Sequence, residues 1–585
     1  MNDTTSTIVH DSPVPAQASD VVFGSDAIAA VLRALDLPYI ALNPGASYRG
    51  LHDSLVNYLG NRTPQMILCL HDENAVSIAQ GYCKASDRMM AAALHSNVGL
   101  MHATMPIFNA WCDRTPVMVI GATGSWDAEK RRPWIEWIHT CSDQGSLIRN
   151  YTKWDNQPGS VGAAAEALLR AAQIAQTAPR GPVYVNLDVE IQEERLETLP
   201  ALPDVSRYAP PAPAQPSSAL VEEAARLLSQ AKHPVILAGR CSRSLDAWNA
   251  RIALAEKLNA SVLTQIKLAA AFPTDHPLHA APPGRMGGEA KKALLDADVI
   301  LSLDWLDLGG ALKQTFGGKD IKAKIIQVSC DAHSHRGWSM DYHVLPPVDL
   351  YLMADPDATV PMLLDAVQTR GATATREKQK RPLSIPEKAA KGELTLAGVA
   401  HALEAATQGI DRCFTRLPLG WNGAYAHFRH PLEFIGPDGG GGVGAGPGIT
   451  VGAGLALKGS GRMPIGLCGD GDFLMGNTAV WTAAHYKIPC LMVVCNNRSF
   501  FNDELHQERM AVMRKRPVEN RWIGQRIGDP DIDLAAMARA QGAVGIGPVT
   551  TVEAMHAAMK QGVEAVQAGG VCVIDARVAP GYDAD

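Results

Sequence analysis

One stretch, MPIGLCGDGDFLMGNTAVWTAAHYKIPCLMVVCNNRSF at residues 463–500, decides the fold of the C-terminal part of the chain. Its pattern predicts a strand over 463–468, a Gly-Asp-Gly turn, a helix over about 473–486 and a strand over 490–495. Short buried strands that alternate with helices are typical of a parallel α/β sheet. The turn and the pair Asn496-Asn497 then follow the carboxyl ends of two strands, the edge at which such sheets bind ligands.

The side chains at this edge offer oxygen donors. They are the carboxylate of Asp470, the amide oxygen of Asn497 and a loop carbonyl such as that of Ser499. Oxygen ligands of this kind suit Mg²⁺ or Ca²⁺ that holds a phosphate compound. Gly469 and Gly471 would let backbone N–H groups approach phosphate oxygens closely. Each piece alone is also typical of an ordinary turn, so the pair on adjacent strands carries the prediction.

The remainder of the chain repeats this α/β pattern. Two stretches are typical of linkers, the Pro-, Ala- and Ser-rich residues 200–218 and the charged residues from roughly 368 to 395. Short apolar strands alternate with Ala-rich helices in each of the three segments that these linkers separate. We therefore predict an α/β fold of three consecutive doubly wound parallel-sheet domains. They cover residues 21–199, 216–365 and 396–585, after a disordered leader over residues 1–20.

Composition excludes several functional classes. The chain has 585 residues and a formal net charge of -7, which argues against a nucleic-acid-binding surface and a polybasic membrane patch. No apolar run has the length of a membrane span, and the N-terminus lacks the apolar region of a signal peptide. The eleven cysteines include no C-x-x-C pair, so we expect neither a zinc site nor disulfides, and a cytoplasmic location.

The Gly-Asp-Gly and Asn-Asn motifs at this spacing resemble the thiamin-diphosphate signature. The stretch WTAAHYKIP resembles the benzoylformate decarboxylase branch of the acetolactate synthase/benzoylformate decarboxylase superfamily. This resemblance implies an N-terminal pyrimidine-binding domain, a central domain and a C-terminal diphosphate-binding domain. It implies that Asp470, Asn497 and the Ser499 carbonyl bind Mg²⁺, and that Gly469, Gly471 and Asp472 lie at the diphosphate.

The glycine-rich stretch GPDGGGGVGAGPGITVGAGLALKG, residues 436–459, contains a formal G-x-G-x-x-G. No strand precedes it and no acid follows at the required distance, so we do not interpret it as a dinucleotide fingerprint. The resemblance implies instead that the Gly441 carbonyl accepts a hydrogen bond from the aminopyrimidine and that Val443 bends the cofactor. Upstream candidates for diphosphate binding stay open: Thr415, Asn422, His427 and His430.

The family carries a His-Glu-x-x-Ala motif at the start of an N-terminal helix, and this chain has LHDENAV there. Counting from His71 or back from Gly81 places Asp72, not Glu73, at the glutamate position. The resemblance implies that this carboxylate hydrogen-bonds N1′ of the aminopyrimidine and so assists loss of the C2 proton. Asp72 is one methylene shorter, about 1.5 Å of reach. Two alternatives stay open: Glu73 takes this role in place of Asp72, or both acids only favour the positive end of a helix.

Two histidines resemble active-site residues of the family. His95, in the stretch LHSNVG, is expected to act in proton transfer to the substrate; a buried histidine with a satisfied partner is the alternative. His276, in FPTDHPLH, is a further candidate. The family's serine in an earlier loop is matched by Ala46, with Ser47 one residue later, and Asn97 is a substitute polar group. The central segment shows no convincing nucleotide loop, so FAD is an open alternative that the sequence does not indicate.

The resemblance implies a thiamin-diphosphate- and Mg²⁺-dependent enzyme that cleaves or forms a C–C bond next to a carbonyl. A decarboxylase or carboligase acting on a 2-oxo acid is the leading hypothesis. The alternatives are a lyase or hydrolase of a diketone or hydroxyketone, a flavin-containing oxidoreductase of the pyruvate oxidase type, and a catalytically weak cofactor-binding protein. We expect a homodimer at minimum and a homotetramer as the assembly, with Asp72 and Asp470 of one site on different subunits.

Overall fold

The computed structural model describes residues 11–15, 21–284, 286–331, 345–369 and 380–581. They form two compact units. The first combines the chain up to Pro211 with Asp438–Thr550 and Ala557–Val578, and the second contains Ala212–Pro437 and two short C-terminal pieces. The predicted N- and C-terminal domains therefore share one unit, and residues 396–437 group with the central segment. Most of the predicted leader lies outside the described residues.

The N-terminal part of the first unit is an α/β layer. Its strands are β1 (Val22–Phe23), β2 (Tyr39–Leu42), β3 (Gln65–Leu68), β4 (Met90–Leu94), β5 (Val117–Thr123), β6 (Asp155–Asn156), β7 (Val183–Asp188) and β8 (Arg195–Leu196). Its helices are α1 (Gly24–Ala34), α2 (Arg49–Asp53), α3 (Asp72–Ser86), α4 (Ser96–His102), α5 (Thr104–Cys112), α6 (Ile135–His139), α7 (Val161–Gln176) and α8 (Val189–Glu193).

Six of these strands form a parallel sheet in the order β3-β2-β4-β5-β7-β6, and β1 pairs antiparallel with β8. Every residue of β4, β5 and β7 is buried. Their sequences MAAAL, VMVIGAT and VYVNLD are continuous rather than alternating, because helices cover both faces of a parallel sheet.

The second unit contains the central sheet. Its elements are α9 (Ser218–Gln230), β9 (Pro234–Ala238), α10 (Leu245–Leu258), β10 (Ser261–Leu263), α11 (Gly288–Leu295), β11 (Val299–Leu303), α12 (Leu308–Phe316), β12 (Lys324–Val328), β13 (Leu350–Leu352), α13 (Pro356–Ala366), α14 (Leu396–Ala406) and β14 (Arg412–Arg416). Strands β9 to β13 form a parallel sheet in the order β10-β9-β11-β12-β13. Its two faces are covered by apolar clusters of their own.

The C-terminal part of the chain supplies the second sheet of the first unit. Its elements are α15 (Ala445–Ala456), β15 (Met463–Gly469), α16 (Asp470–Gly476), α17 (Ala479–His485), β16 (Cys490–Asn496), α18 (Phe501–Arg514), α19 (Leu534–Ala540), β17 (Val544–Val549), α20 (Val552–Gln567) and β18 (Val571–Arg577). The start of α20 is one of the two short pieces that group with the second unit. The strands of this part run parallel in the order β15-β16-β18-β17. The three larger sheets thus have the α/β organisation that the sequence predicts.

The helix predicted over 473–486 is instead two helices, α16 and α17. The first begins directly at Asp470, and the break follows Gly476. A Cβ atom on Gly476 would lie 2.1 Å from the carbonyl oxygen of Gly444, so only glycine allows the glycine-rich loop to approach here. A contact between distant parts of the chain therefore accompanies the break.

Helices α3 and α15 pack closely because glycines line their contact. A Cβ on Gly452 would lie 1.9 Å from the Ile78 carbonyl oxygen, and one on Gly81 would lie 2.2 Å from that of Ile449. Without side chains at these positions the two backbones touch. This packing brings the first turn of α3 to the glycine-rich loop.

Two further observations concern the described part of the chain. None of its helices combines the length and the apolar character that a membrane span requires. The eleven cysteines are all free thiols, and most of them are buried in the cores.

Candidate active site

Asp470, Asn497 and Ser499 converge at the carboxyl ends of β15 and β16. The backbone N–H of Ser499 donates to Asp470 Oδ2 and to Asn497 Oδ1, each at 3.0 Å. The other carboxylate oxygen, Asp470 Oδ1, accepts from the Gly471 N–H at 2.9 Å. The three predicted metal ligands are therefore neighbours in space.

Burial raises the pKa of Asp470, and hydrogen bonds from the backbone N–H groups of Gly471 and Ser499 oppose that shift. No cluster of three or more His, Cys, Asp or Glu side chains suited to a metal occurs in the described part of the chain. A metal at the Asp470 position would thus be bound by one carboxylate with amide and carbonyl oxygens. That donor set suits a hard ion such as Mg²⁺, which keeps further positions for water and phosphate.

Asp472 holds the glycine-rich loop. Its Oδ1 atom accepts hydrogen bonds from the backbone N–H groups of Gly444 at 2.6 Å and Gly446 at 3.3 Å. A Cβ on Gly446 would lie 2.3 Å from Asp472 Oδ2. Since this carboxylate is engaged with the loop, its contribution in the structure is to fix the backbone there; its predicted contact with the cofactor stays a prediction.

Helix α5 forms a wall against the same loop, and sequence reasoning missed it. The Asn109 Oδ1 atom accepts from the Gly440 N–H at 3.1 Å. A Cβ on Gly442 would lie 2.5 Å from Met105 Cε, and one on Gly439 would lie 2.6 Å from Asp113 Oδ1. Met105 and Asn109 are four residues apart on one face of α5, and Asp113, directly after the helix, continues that spacing. This four-residue spacing was the signal available in the sequence, but it does not identify the glycine-rich loop as the partner of these residues.

The two adjacent acids at the start of α3 point in different directions. The Asp72 side chain is buried, its Oδ1 has no hydrogen-bond partner, and its Oδ2 lies 3.5 Å from His102 Nδ1. The Glu73 side chain lies at Gly444, where a Cβ would be 3.0 Å from Glu73 Oε1. The N–H at the helix start is satisfied by His71, whose Nδ1 accepts from the Glu73 backbone N–H at 3.2 Å. Neither acid is therefore needed as the side-chain cap.

His95 sits in a small polar cluster in the same unit. Its Nδ1 lies 2.9 Å from Ser47 Oγ, and its ring meets the His139 ring edge-on, with centroids 4.7 Å apart. Burial, then the nearby charges of His139 and Arg132, lowers the pKa of His95. A neutral imidazole with one nitrogen engaged can exchange a proton through the other.

The residues proposed to substitute for the family's serine have structural partners. Asn97 Nδ2 donates to the Ile138 carbonyl oxygen at 3.1 Å, and Ser96 Oγ donates to Asn97 Oδ1 at 2.7 Å. Ser47 contacts His95 Nδ1 and thus orients the imidazole. His139 and Ile138 both belong to α6, which carries no recognisable motif, so sequence reasoning had no signal by which to select them.

His276 belongs to the second unit, where its Nε2 lies 3.3 Å from Glu256 Oε1 and its Nδ1 accepts from the Leu278 N–H. His427, also in this unit, is buried beside Thr274, and burial lowers its pKa. Both imidazoles are therefore engaged within their own unit, and their predicted roles stay predictions. The roles predicted for Thr415, Asn422 and His430 likewise stay predictions.

The residues of the first unit fit a metal-bound diphosphate cofactor. Gly441 and Gly469 leave open space, because no described atom beyond their chain neighbours lies within 4 Å of a Cβ built on either. Asp470, whose carboxylate belongs to the oxygen cluster around the Ser499 N–H, directly follows Gly469 in the chain. Val443 is half-buried in the glycine-rich loop. Opposite the loop stands a carboxylate at the start of α3.

Comparison with known proteins defines the class. Three sequence families, described as the N-terminal TPP binding, central and C-terminal TPP binding domains of thiamine pyrophosphate enzymes, match residues 23–147, 221–363 and 419–576. The chain belongs to the thiamin-diphosphate-dependent enzymes of the acetolactate synthase/benzoylformate decarboxylase superfamily. Thiamine pyrophosphate is another name for thiamin diphosphate, so the predicted cofactor class is confirmed.

Individual relatives agree with this class. The chain is 26% identical to benzoylformate decarboxylase of Pseudomonas aeruginosa, over 85% of this chain and 88% of that protein. It is 24% identical to the acetolactate synthase large subunit of Lactococcus lactis subsp. lactis, over 83% and 84% of the two chains. Benzoylformate decarboxylase from Polynucleobacter necessarius has a similar fold, with a TM-score of 0.79, 21% identity and coverage of 96% and 99%.

Proposed function

We propose that the protein binds thiamin diphosphate through Mg²⁺ and acts on a 2-oxo acid as a decarboxylase or carboligase. One observation carries the proposal: Asp470 and Asn497 converge on the Ser499 N–H beside an open glycine-rich loop. A carboxylate at the start of α3 faces that loop. Metal, diphosphate and aminopyrimidine would each have a matching group in one compact unit.

The chain's own residues have distinct tasks in this proposal. Asp470, Asn497 and the Ser499 carbonyl would hold Mg²⁺, and the backbone at Gly469 and Gly471 would face the diphosphate. When bound, the cofactor supplies a carbon nucleophile for a substrate carbonyl and stabilises the negative charge that develops on that carbonyl carbon. The acid on α3 would hold a proton at N1′ of the aminopyrimidine. Such positioned proton transfer contributes about 10²–10⁴-fold to rates.

The substrate side of the proposal rests on His95. Its pKa is lowered, so the imidazole is largely neutral near pH 7, and Ser47 fixes its Nδ1. It can therefore hold or deliver a proton through Nε2 at a carbon or oxygen of the substrate. A 2-oxo acid is consistent with the names of the decarboxylase and synthase relatives. The proposed assembly is a homodimer at minimum, or a homotetramer. In the single chain α3 and Asp470 belong to one unit. A site that combines α3 of one subunit with Asp470 of another stays a prediction.

The test is reconstitution of the purified chain with thiamin diphosphate and Mg²⁺, followed by a screen of 2-oxo acids for CO₂ release and of hydroxyketones for cleavage. We expect cofactor binding that requires Mg²⁺ and turnover of at least one 2-oxo acid. Failure to bind the cofactor would contradict the proposal. Turnover of hydroxyketones alone would favour the lyase alternative, and a yellow purified protein would favour the flavin alternative.

A further inference from the structure

We propose that Glu504, on α18, is a positioning residue of the metal site, which holds the Ser499 turn in the conformation that offers its carbonyl oxygen to Mg²⁺. This inference rests on the proposed function and adds to it a residue that no sequence motif indicates. Every contact that carries it lies within the C-terminal domain of one chain, between residues 470 and 527. It therefore does not depend on which subunit supplies the aminopyrimidine end of the site.

Ser499 belongs to a short antiparallel contact at the base of α18. Residues 498–500 run beside residues 525–527, with Ser499 opposite Arg526. Backbone hydrogen bonds of 3.0 and 2.8 Å flank this pair on its two sides. In an antiparallel pair flanked in this way, the two opposite residues do not bond to each other. The Ser499 N–H donates instead to Asp470 Oδ2, and among the described residues no backbone N–H donates to the Ser499 carbonyl.

The buried Glu504 carboxylate joins the two sides of this contact. Its Oε1 accepts from Ser499 Oγ at 2.5 Å and from Arg526 Nε at 3.4 Å. Its Oε2 lies 3.6 Å from Arg521 Nε. A buried carboxylate requires donors and cations that compensate for its lost hydration. Here they come from the residues before and after α18, so Glu504 ties Ser499 to the returning chain.

The ordinary reading of Glu504 is an acid that favours the positive end of a helix, since it lies in the first turn of α18. An exposed acid serves that purpose, and Asp503 in the same turn is exposed. The helix start therefore gives no reason to bury a second carboxylate. The burial of Glu504 against the Ser499 hydroxyl points to a separate task at the metal site.

Glu504 stands one step outside the proposed metal ligands. A group that hydrogen-bonds to a metal ligand orients it, and its loss typically costs about 10–100-fold in metal affinity. The Ser499 hydroxyl donates to Glu504, while the Ser499 N–H donates to Asp470 Oδ2 at 3.0 Å. A Ser499 turn released from Glu504 would therefore disturb two proposed ligands together, its own carbonyl and the Asp470 carboxylate.

The test compares Glu504→Ala with Glu508→Ala in the full-length protein. Glu508 lies one turn later on α18 and also forms an ion pair with Arg521, whereas the hydrogen bond from Ser499 Oγ goes to Glu504. Calorimetric titration of thiamin diphosphate at a series of Mg²⁺ concentrations gives the Mg²⁺ concentration that half-saturates cofactor binding. We expect Glu504→Ala to raise this concentration by about 10–100-fold. Glu508→Ala should change it by less than about twofold, because a partly exposed ion pair contributes little.

A second set of variants separates positioning from a general loss of structure. Ser499→Ala removes the hydroxyl but keeps the carbonyl, and it should raise the Mg²⁺ requirement by about tenfold, the scale of one hydrogen bond to a charged group. Glu504→Gln keeps an acceptor for Ser499 Oγ and should recover most of the affinity lost in Glu504→Ala. Since both truncations break the same hydrogen bond, combining Ser499→Ala with Glu504→Ala should add little to Glu504→Ala alone.

Thermal unfolding of each variant completes the experiment. Variants that lower only the unfolding midpoint and leave the Mg²⁺ requirement unchanged would overturn the proposal, because Glu504 would then stabilise the fold without positioning the metal site. Independent, additive effects of Ser499→Ala and Glu504→Ala on the Mg²⁺ requirement would overturn it as well. A wild type that binds no thiamin diphosphate in the presence of Mg²⁺ would instead refute the proposed function, and the role of Glu504 with it.

Discussion

Ser47 fixes one nitrogen of His95. The Ser47 Oγ atom accepts a hydrogen bond from the Ser96 backbone N–H at 3.2 Å and lies 2.9 Å from His95 Nδ1. Because the oxygen already accepts from Ser96, its hydroxyl proton is available to donate to Nδ1. The neutral imidazole then carries its proton on Nε2, the nitrogen left to meet a substrate.

Ser47→Ala should lower kcat by about tenfold while cofactor affinity stays within about twofold. The loss of one hydrogen bond costs about 1 kcal/mol and frees the other imidazole tautomer. Steady-state kinetics and calorimetry on one preparation check both values, and Ser47→Thr, which keeps the hydroxyl, should recover part of the rate. An unchanged kcat in Ser47→Ala would contradict a positioning role for Ser47.

His139→Asn should raise the pKa of His95 toward its ordinary value, because the His139 charge is the second cause, after burial, of its lowered pKa. An NMR titration of the imidazole resonances measures the shift. As pH falls below about 6.5, the unfolded chain binds this proton before the folded chain does. The free energy of unfolding therefore decreases with falling pH down to the folded pKa, and less so in the variant. An unaltered pKa of His95 in the variant would contradict the influence of His139 on that imidazole.

The strands and the proximity of Asp470 and Asn497 could be predicted from sequence because both follow from local patterns. Strand β15 ends one residue after its predicted end, and β16 likewise. Parallel strands place their carboxyl ends at one edge, so the proximity of Asp470 and Asn497 follows from the order of the elements. The fold class was predictable for the same reason, since each buried strand is a continuous apolar run.

The directions of the Asp72 and Glu73 side chains could not be predicted in this way. Counting residues fixes a position along α3 but not which face of the helix meets the C-terminal domain. That face is set by glycine contacts such as that of Gly452 with Ile78, between residues distant in sequence. The engagement of Asp472 with the Gly444 N–H is equally a tertiary contact. The unpredicted features are thus those made by packing.

Asp470→Asn should weaken Mg²⁺-dependent binding of thiamin diphosphate by at least about tenfold, because it removes the one carboxylate of the proposed metal site. The amide keeps the size of the side chain, so thermal stability should change little. Asp503→Asn is the matched control, since Asp503 is exposed in the first turn of α18 in the same domain. Calorimetric titrations with and without EDTA measure the effect. Equal affinity for thiamin diphosphate in both variants would contradict the role of Asp470 as a metal ligand.

Two glycine-to-alanine substitutions in helices should change stability in opposite directions. In Gly452→Ala the new Cβ would lie 1.9 Å from the Ile78 carbonyl oxygen, which forces α3 and α15 apart and should cost about 1–3 kcal/mol. In Gly162→Ala, on α7, the Cβ meets no described atom within 4 Å, so the better helix propensity should stabilise by about 0.5 kcal/mol. Urea unfolding measures both. If α3 and α15 were not packed backbone to backbone, Gly452→Ala would stabilise as well, and the geometry that directs Glu73 to the glycine-rich loop would lose its support.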